Sequence, residues 1–215
     1  MPSRNLQTVV LSLETALKET EHLASAAQQW ASSALGGNVP RFTRRHQEIV
    51  IRLAFLQAFI SWEKFLDESF TLYLLGMRPP RGRAPGRLHK PARRKDAERL
   101  ITGANDYADW AKIALIRARA KKYFRNGRPF DRALSGSQNL FDDINTIRNA
   151  IAHSSRHSQE KFKALARRNL SGTYPPRLSI GAFLVLDNPR SQQTETFLHY
   201  YLTRVMLVAG EIVPH

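Results

Sequence analysis

Residues 41–75 read RFTRRHQEIVIRLAFLQAFISWEKFLDESFTLYLL and carry apolar side chains along two faces of one predicted helix. One row consists of Ile49, Leu53, Leu56 and Ile60, and the other consists of Phe55, Phe59, Trp62, Leu66, Phe70 and Tyr73. A helix that is apolar on two sides is normally buried between neighbouring elements. We therefore predict that this segment is the central helix of the fold, ended by Gly76 and by Pro79-Pro80.

Further helices are predicted from the apolar periodicity on both sides of this segment, over 3–35, 91–103, 106–125, 138–153 and 192–213. The apolar run 178–186, LSIGAFLVL, fits a short strand or a buried extended segment, and its length does not decide between them. One candidate strand cannot build a sheet, so we predict an all-α bundle of four to six helices. We treat 1–215 as a single domain with its core at about 41–213 and an exposed, basic, proline-rich loop at 77–92.

Composition places limits on the class of protein. A chain of 215 residues is long enough for one domain with a sizeable core. The absence of cysteine excludes disulfides and thiolate metal sites and fits a reducing compartment. The N-terminus lacks the apolar core of a signal peptide, and no uncharged apolar run is long enough to cross a bilayer. We therefore expect a soluble, cytoplasmic protein without membrane contact.

The net charge of +15 is concentrated in three segments, 78–99, 117–132 and 156–168. They hold 9, 7 and 5 lysines and arginines against 2, 1 and 1 acids, which leaves the rest of the chain slightly negative. Such segments attract phosphates, although any one of them also fits a solvated face. We predict RNA as the partner of these residues: Arg93, Arg94, Lys95, Arg117, Arg119, Lys121, Lys122 and Arg125. Tyr123 and Phe124, which lie among these basic residues, are the best candidates for stacking on bases, whereas Trp30, Trp62 and Trp110 are expected in the core.

The segment LFDDINTIRNAIAH, residues 140–153, carries the candidate chemistry. On a helix, Leu140, Ile144, Ile147 and Ile151 face the core, and Asp142, Asn145, Asn149, Ala152 and His153 lie opposite. Arg148 borders this polar face and its long side chain can reach across the small Ala152. An imidazole that transfers protons and a guanidinium that grips phosphate oxygens suit phosphoryl chemistry.

The run Arg148-Asn149-Ala150-Ile151-Ala152-His153 resembles the R-N-x-x-x-H signature of the HEPN ribonuclease superfamily. The upstream helix FISWEKFLDESFTLYLLG, 59–76, is similar to the Trp-Glu-rich helix of the RiboL-PSP-HEPN branch, and the resemblance covers most of 45–213. It implies an HEPN-like helical bundle that cuts RNA without a metal or cofactor. His153 would move a proton during 2′-OH attack, Arg148 would stabilise the phosphorane, and Asn149 would position the substrate or His153. It also implies a homodimer whose two motifs face one cleft.

Two supporting residues accompany this motif. Asn145 lies on its polar face, and Glu63, set in an apolar run, either pairs with Arg148 or lines a solvated helix edge together with Asp67. His153 and His157 have the i, i+4 spacing of metal ligands, but no third ligand follows at a recognisable spacing, so we predict no metal site.

Two further functional classes remain open. One is a non-catalytic binding module, which is either an HEPN-like dimer that serves as an antitoxin or scaffold or a basic helical bundle that only binds nucleic acid. The other is an interaction bundle for an acidic protein. If the chain is a nuclease, the resemblance suggests a toxin, a phage-defence effector or an RNA-processing factor, and it suggests an antitoxin or regulatory protein as a partner.

Overall fold

The computed structural model describes residues 5–32, 42–103, 105, 107–170, 175 and 177–215. Within them the chain is helical and contains no sheet, which confirms the all-α class. The helices are α1 Leu6–Ser32, α2 Arg44–Leu74, α3 Arg94–Thr102, α4 Ile113–Tyr123, α5 Phe130–Ser135, α6 Gln138–Ala152, α7 Arg156–Asn169, α8 Ile180–Leu184 and α9 Phe197–Ile212. One 3-10 turn, Arg125–Gly127, precedes α5. Residues 3, 4, 33–35 and 41 of the predicted segments lie outside the described residues.

The described ranges contain nine helices, which is more than the four to six that we predicted, because the sequence analysis did not predict α5, α7 and α8. The extended structure considered for 178–186 is wrong, since Ile180–Leu184 forms α8. Ser179 begins this helix by accepting a hydrogen bond from the Ala182 amide at 3.3 Å. Gly181 lies so close to α2 that a Cβ there would come within 2.6 Å of the Glu48 Cγ. Tertiary packing therefore selects a short buried helix.

The start of α4 also differs from the prediction, which placed it at residue 106, outside the described residues. The helix begins at Ile113 because the preceding residues are held in a turn. Asp109 accepts a hydrogen bond from the Ala111 amide at 3.0 Å, and the buried Trp110 donates from its indole Nε1 to Asp67 at 3.1 Å. Burial raises the pKa of the Asp67 carboxyl, while the hydrogen bond from Trp110 lowers it.

The chain divides into two compact units. The first unit comprises Met1–Glu14, Ile60–Asp142 and Arg204–His215, and the second comprises Thr15–Phe59 and Asp143–Thr203. Helices α1, α2, α6 and α9 each contribute residues to both units.

Aromatic side chains form the core of the first unit. Phe70 of α2 lies with its ring centroid 4.8 to 6.2 Å from those of Trp110, Tyr123, Phe124 and Phe130. Trp62, also from α2, stacks on Phe65 and on Phe141, with centroids 5.4 and 4.9 Å apart. Offset and edge-to-face contacts of this kind add to the free energy gained from burial.

The proline-rich loop of the first unit is anchored through its backbone, although most of its side chains are exposed. Gly76 ends α2 with φ of 88°, and Arg87 donates from Nη1 to the Leu74 carbonyl at 2.9 Å. The Leu88 amide donates to the Tyr123 carbonyl at 2.8 Å. The segment therefore follows a defined path over α4.

The core of the second unit uses a separate aromatic cluster. Phe183 of α8 stacks on Phe197 of α9 at 4.3 Å and meets the edge of Phe162 of α7 at 5.6 Å. Phe55 of α2 contacts Tyr201 of α9, with ring centroids 6.4 Å apart. Helices α2, α7, α8 and α9 therefore all supply side chains to this core.

Only one of the two apolar rows of α2 is buried. The aromatic row is inside, as predicted, but Ile49, Leu53 and Ile60 are 44%, 59% and 55% exposed. The prediction that both faces of α2 are covered is therefore wrong for the isolated chain. Trp30 is exposed as well, whereas Trp62 and Trp110 are buried as expected. Despite the 31 residues of α2, no helix in the described part of the chain has the length and apolar character needed to cross a membrane.

The aromatic cluster of the first unit predicts a large effect of truncation at its centre. Phe70→Ala should lower the free energy of unfolding by about 3–5 kcal/mol, because it removes a fully buried ring and leaves a cavity. The exposed Leu115 provides the control, and Leu115→Ala should change stability by less than about 0.5 kcal/mol. Urea denaturation followed by circular dichroism measures both, and equal effects would contradict this account of the core.

Candidate functional site

The candidate site lies at the C-terminal end of α6, in the second unit. The buried residues of α6 in this unit are Ile144, Ile147 and Ala150, which places the apolar face slightly away from the predicted one, since Ile151 is only half-buried. Asn145 and Asn149 are partly exposed, and His153 is exposed. As predicted, the imidazole therefore lies outside the core.

Side chains from two other helices stabilise this helix end. Arg52 of α2 donates from Nη2 to the Ile151 carbonyl at 3.4 Å, and Gln159 of α7 donates from Nε2 to the Ala150 carbonyl at 2.9 Å. Carbonyls in the last turn of a helix lack partners within the helix, so these donors fix the point where α6 ends. The His153 amide still donates to the Asn149 carbonyl at 2.9 Å, which holds the backbone of His153 against the last turn.

A chain of hydrogen bonds orients the polar groups of the motif. Arg148 donates from Nη1 to the Asn149 Oδ1 at 3.0 Å, and Asn149 donates from Nδ2 to the Asn145 Oδ1 at 3.3 Å. The Arg148 guanidinium also lies 5.7 Å from the centroid of the Phe59 ring, where a cation is favoured. The guanidinium and the carboxamide are thus placed together, and the supporting role of Asn145 stays a prediction.

The sequence did not point to Arg52, although the structure brings it to the end of α6. Arg52 lies between apolar residues of α2, and 99 residues separate it from Ile151. Its Nε is buried without a hydrogen-bond partner among the described residues. A charged donor left unsatisfied beside the motif is unusual. The one feature of the sequence that could have indicated a role for Arg52 is its position as a charged residue within an apolar stretch of the helix.

Five basic side chains of the second unit belong to α7, which directly follows the motif. The Ser155 side chain caps α7 by accepting a hydrogen bond from the Ser158 amide at 3.2 Å. Arg156 and Lys161 are exposed, whereas Lys163 is ion-paired with Glu160 at 2.9 Å and Arg168 is ion-paired with Asp143. This helix therefore supplies a solvated positive surface in the same unit as His153.

The eight residues predicted to contact RNA all belong to the first unit, and several of them have structural roles. Arg94 pairs with Glu68 and Glu98 at 2.9 and 2.7 Å, and Arg117 pairs with Asp131 at 2.7 Å. Three more contact neighbouring side chains: Lys121 lies 3.5 Å from Asp131, Arg119 lies over Trp110, and Lys122 lies over Tyr123. Arg93, Lys95 and Arg125 are exposed and form no such contact among the described residues.

Tyr123 and Phe124, the candidates for stacking on bases, are not accessible to a base. Both rings are buried, at 3% and 0% exposure, in the cluster around Phe70. A base cannot reach a ring that is already enclosed by other side chains. Their neighbouring charges made them look like surface residues in the sequence.

The two remaining candidates are the pairing of Glu63 with Arg148 and a metal site. Glu63 belongs to the first unit and Arg148 to the second, and their pairing stays a prediction. Among the described residues, no group of three or more histidine, aspartate or glutamate side chains is arranged to hold a metal ion.

The contact between Arg52 and Ile151 predicts a measurable role for Arg52. Arg52→Met keeps the apolar stem but removes the donor, so the last turn of α6 should open more readily and stability should fall by about 1 kcal/mol. Hydrogen exchange at the His153 amide, which depends on that turn, should become faster. The exposed Arg45 at the start of α2 serves as the control through Arg45→Met. Unchanged exchange in the Arg52 variant would show that the contact does not support the helix end.

Comparison of the chain with protein-family models, with curated proteins and with solved structures finds no match. A functional assignment therefore depends on the side chains at the end of α6 and on the resemblance of Arg148 to His153 to a known motif.

Proposed function

We propose that this protein is a metal-independent endoribonuclease of the HEPN type, with Arg148, Asn149 and His153 as its active residues. The observation that carries the proposal is the arrangement at the end of α6. An exposed imidazole follows a helix whose last turn carries a guanidinium oriented by a carboxamide. Such an activity suits a toxin, a phage-defence effector or an RNA-processing factor.

The proposed reaction is an internal transesterification of RNA. The ribose 2′-oxygen attacks the adjacent phosphorus, the bond from phosphorus to the 5′-oxygen breaks, and the products carry a 2′,3′-cyclic phosphate and a 5′-hydroxyl. His153 accepts the 2′-hydroxyl proton or donates one to the departing 5′-oxygen. Arg148 neutralises the charge that develops on the non-bridging oxygens. Asn149 holds the guanidinium through the hydrogen bond of 3.0 Å.

A single histidine performs one of these proton transfers at a time, so a second copy of the chain is proposed to supply the other. The exposed apolar row of α2 supports this homodimer. Ile49, Leu53 and Leu56 lie on the helix whose Arg52 contacts the end of α6; the first two are 44% and 59% exposed and Leu56 is partly exposed. An apolar helix face left open in a monomer is typical of a surface that binds another protein chain. A two-fold interface would bury the same row from both copies.

Cleavage of single-stranded RNA in the presence of EDTA tests the activity. His153→Ala should reduce the rate by about two orders of magnitude or more, because a proton-transfer group is lost. His157→Ala is the matched control, since His157 is an exposed histidine four residues further along. A substrate with one 2′-deoxyribose at the cleaved position should resist cutting. RNA that is bound but not cut by the wild-type protein would favour a non-catalytic nucleic-acid-binding module.

Dimerisation is tested by placing a charge in the apolar row. Leu53→Asp should convert a dimer to a monomer and reduce cleavage together with it, because a carboxylate buried in an apolar interface has no partner. Leu115→Asp on α4 places the same charge at another exposed leucine and should leave the dimer intact. Sedimentation velocity measures the mass of both variants. A wild-type chain that is monomeric yet fully active would contradict the two-histidine arrangement.

A further inference from the structure

A cavity of about 800 Å³ lies in the first unit, and neither the motif nor the proposed cleavage uses it. Its walls come from the proline-rich loop at 79–86, from the segment 125–133 and from the chain end at 211–214. Five arginines and a single acid line it: Arg81, Arg83, Arg125, Arg128, Arg132 and Glu211. This volume lies in the range of small-molecule and cofactor sites.

Backbone hydrogen bonds hold the three walls together. The Arg81 amide donates to the Pro214 carbonyl at 3.1 Å, and the Arg125 amide donates to the Gly86 carbonyl at 2.8 Å. The buried Tyr73, which also lines the cavity, donates from its hydroxyl to the Ile212 carbonyl at 2.7 Å. A Cβ at Gly86 would come within 2.9 Å of the Arg125 Cδ, so this glycine lets the Arg125 side chain lie against the loop. The cavity is therefore built by the fold and does not depend on a ligand to assemble its walls.

The positive charges of these arginines are not paired with described carboxylates of the same unit. In the described part of the chain, none of the five guanidinium groups forms an ion pair with a carboxylate, whereas Arg94 and Arg117 of the same unit do. The arginines carry five positive charges and Glu211 carries one negative charge, which leaves an excess of four positive charges. The five side chains are exposed, so water and salt screen part of the repulsion between them, and a bound anion relieves what remains.

The geometry points to a 5′-triphosphate group as the ligand, carried either by a free nucleoside triphosphate or by the 5′ end of an RNA chain. A triphosphate has about four negative charges near neutral pH, which matches the excess in the cavity. Guanidinium groups bind phosphate oxygens in pairs and with defined geometry. The remaining walls are largely proline and alanine, and the lining ring of Tyr73 is buried, so the phosphates are recognised and the base is not.

Calorimetric titration with inorganic triphosphate tests the site in the full chain. One ion should bind per chain, and Arg83→Gln combined with Arg128→Gln should weaken binding by about tenfold or more, since two charge-assisted contacts are lost. Arg44→Gln combined with Arg45→Gln removes the same charge from the exposed start of α2 and should have an effect of less than about twofold. No binding by the wild type, or equal weakening in both double variants, would overturn the proposal.

A second variant keeps every arginine. Ala84→Glu places a carboxylate among the guanidinium groups, where it should compete with the anion and weaken triphosphate binding. Circular dichroism checks that the helices remain. If this variant folds and binds triphosphate as tightly as the wild type, the anion does not occupy the cavity.

Competition experiments with His153→Ala protein, chosen so that RNA stays intact, separate the two sources of the ligand. If the ligand is a free nucleotide, ATP and GTP displace triphosphate equally well, and RNA binds alike with a 5′-triphosphate or a 5′-hydroxyl. If it is an RNA end, the triphosphorylated RNA binds more tightly, and the Arg83 and Arg128 double variant loses that difference. Failure of all these competitors refutes the site. Cleavage by the wild type is a separate readout, so the two proposals fail independently.

Discussion

The burial of one face of α2, and only one, is the constraint on which both units depend. In the first unit, α2 contributes Phe70 to the centre of the aromatic cluster. In the second unit it contributes Phe55, which packs on Tyr201, and its Ala54 carbonyl accepts a hydrogen bond from Thr20 at 3.3 Å. Because the aromatic row of α2 packs into the cores of both units, Ile49, Leu53 and Ile60 of the aliphatic row stay exposed. The fold and the proposed interface between copies thus arise from two different faces of one helix.

Periodicity alone predicts the long helices, because their apolar residues recur once per turn over many turns. Helix α7 has the same period in Phe162, Leu165 and Ala166, but its five basic residues made it look like a solvated segment. Helices α5 and α8 have six and five residues, too few for a period to be visible. The start of α4 depends on the contact between Trp110 and Asp67, 43 residues apart, which no local pattern encodes.

In the candidate site, too, the features set by local sequence could be predicted and the contacts between residues distant in sequence could not. The polar face of Asn145, Asn149 and His153 could be predicted, since helical spacing determines it. The caps at the end of α6 could not, because Arg52 and Gln159 reach it from other helices. Charge in the sequence was misleading for Tyr123, which is buried although two lysines precede it. Its hydroxyl donates to the Leu100 carbonyl inside the first unit, so its neighbours in space differ from its neighbours in sequence.

Folding gives the basic residues of the first unit two distinct roles, although the sequence presents them as continuous runs. Arg94 and Arg117 are paired with carboxylates, and Arg119 lies 4.7 Å from the centroid of Trp110, so these cations help to hold the unit together. Arg83 and Arg128 instead face a shared cavity in which Glu211 is the sole acid. A paired guanidinium has already replaced part of its hydration by protein contacts and gains little from a phosphate, whereas an unpaired one keeps its donors for the ligand. The count of positive charges therefore predicts an affinity for polyanions in general, and the pairing pattern indicates which of these residues are proposed to bind a phosphate.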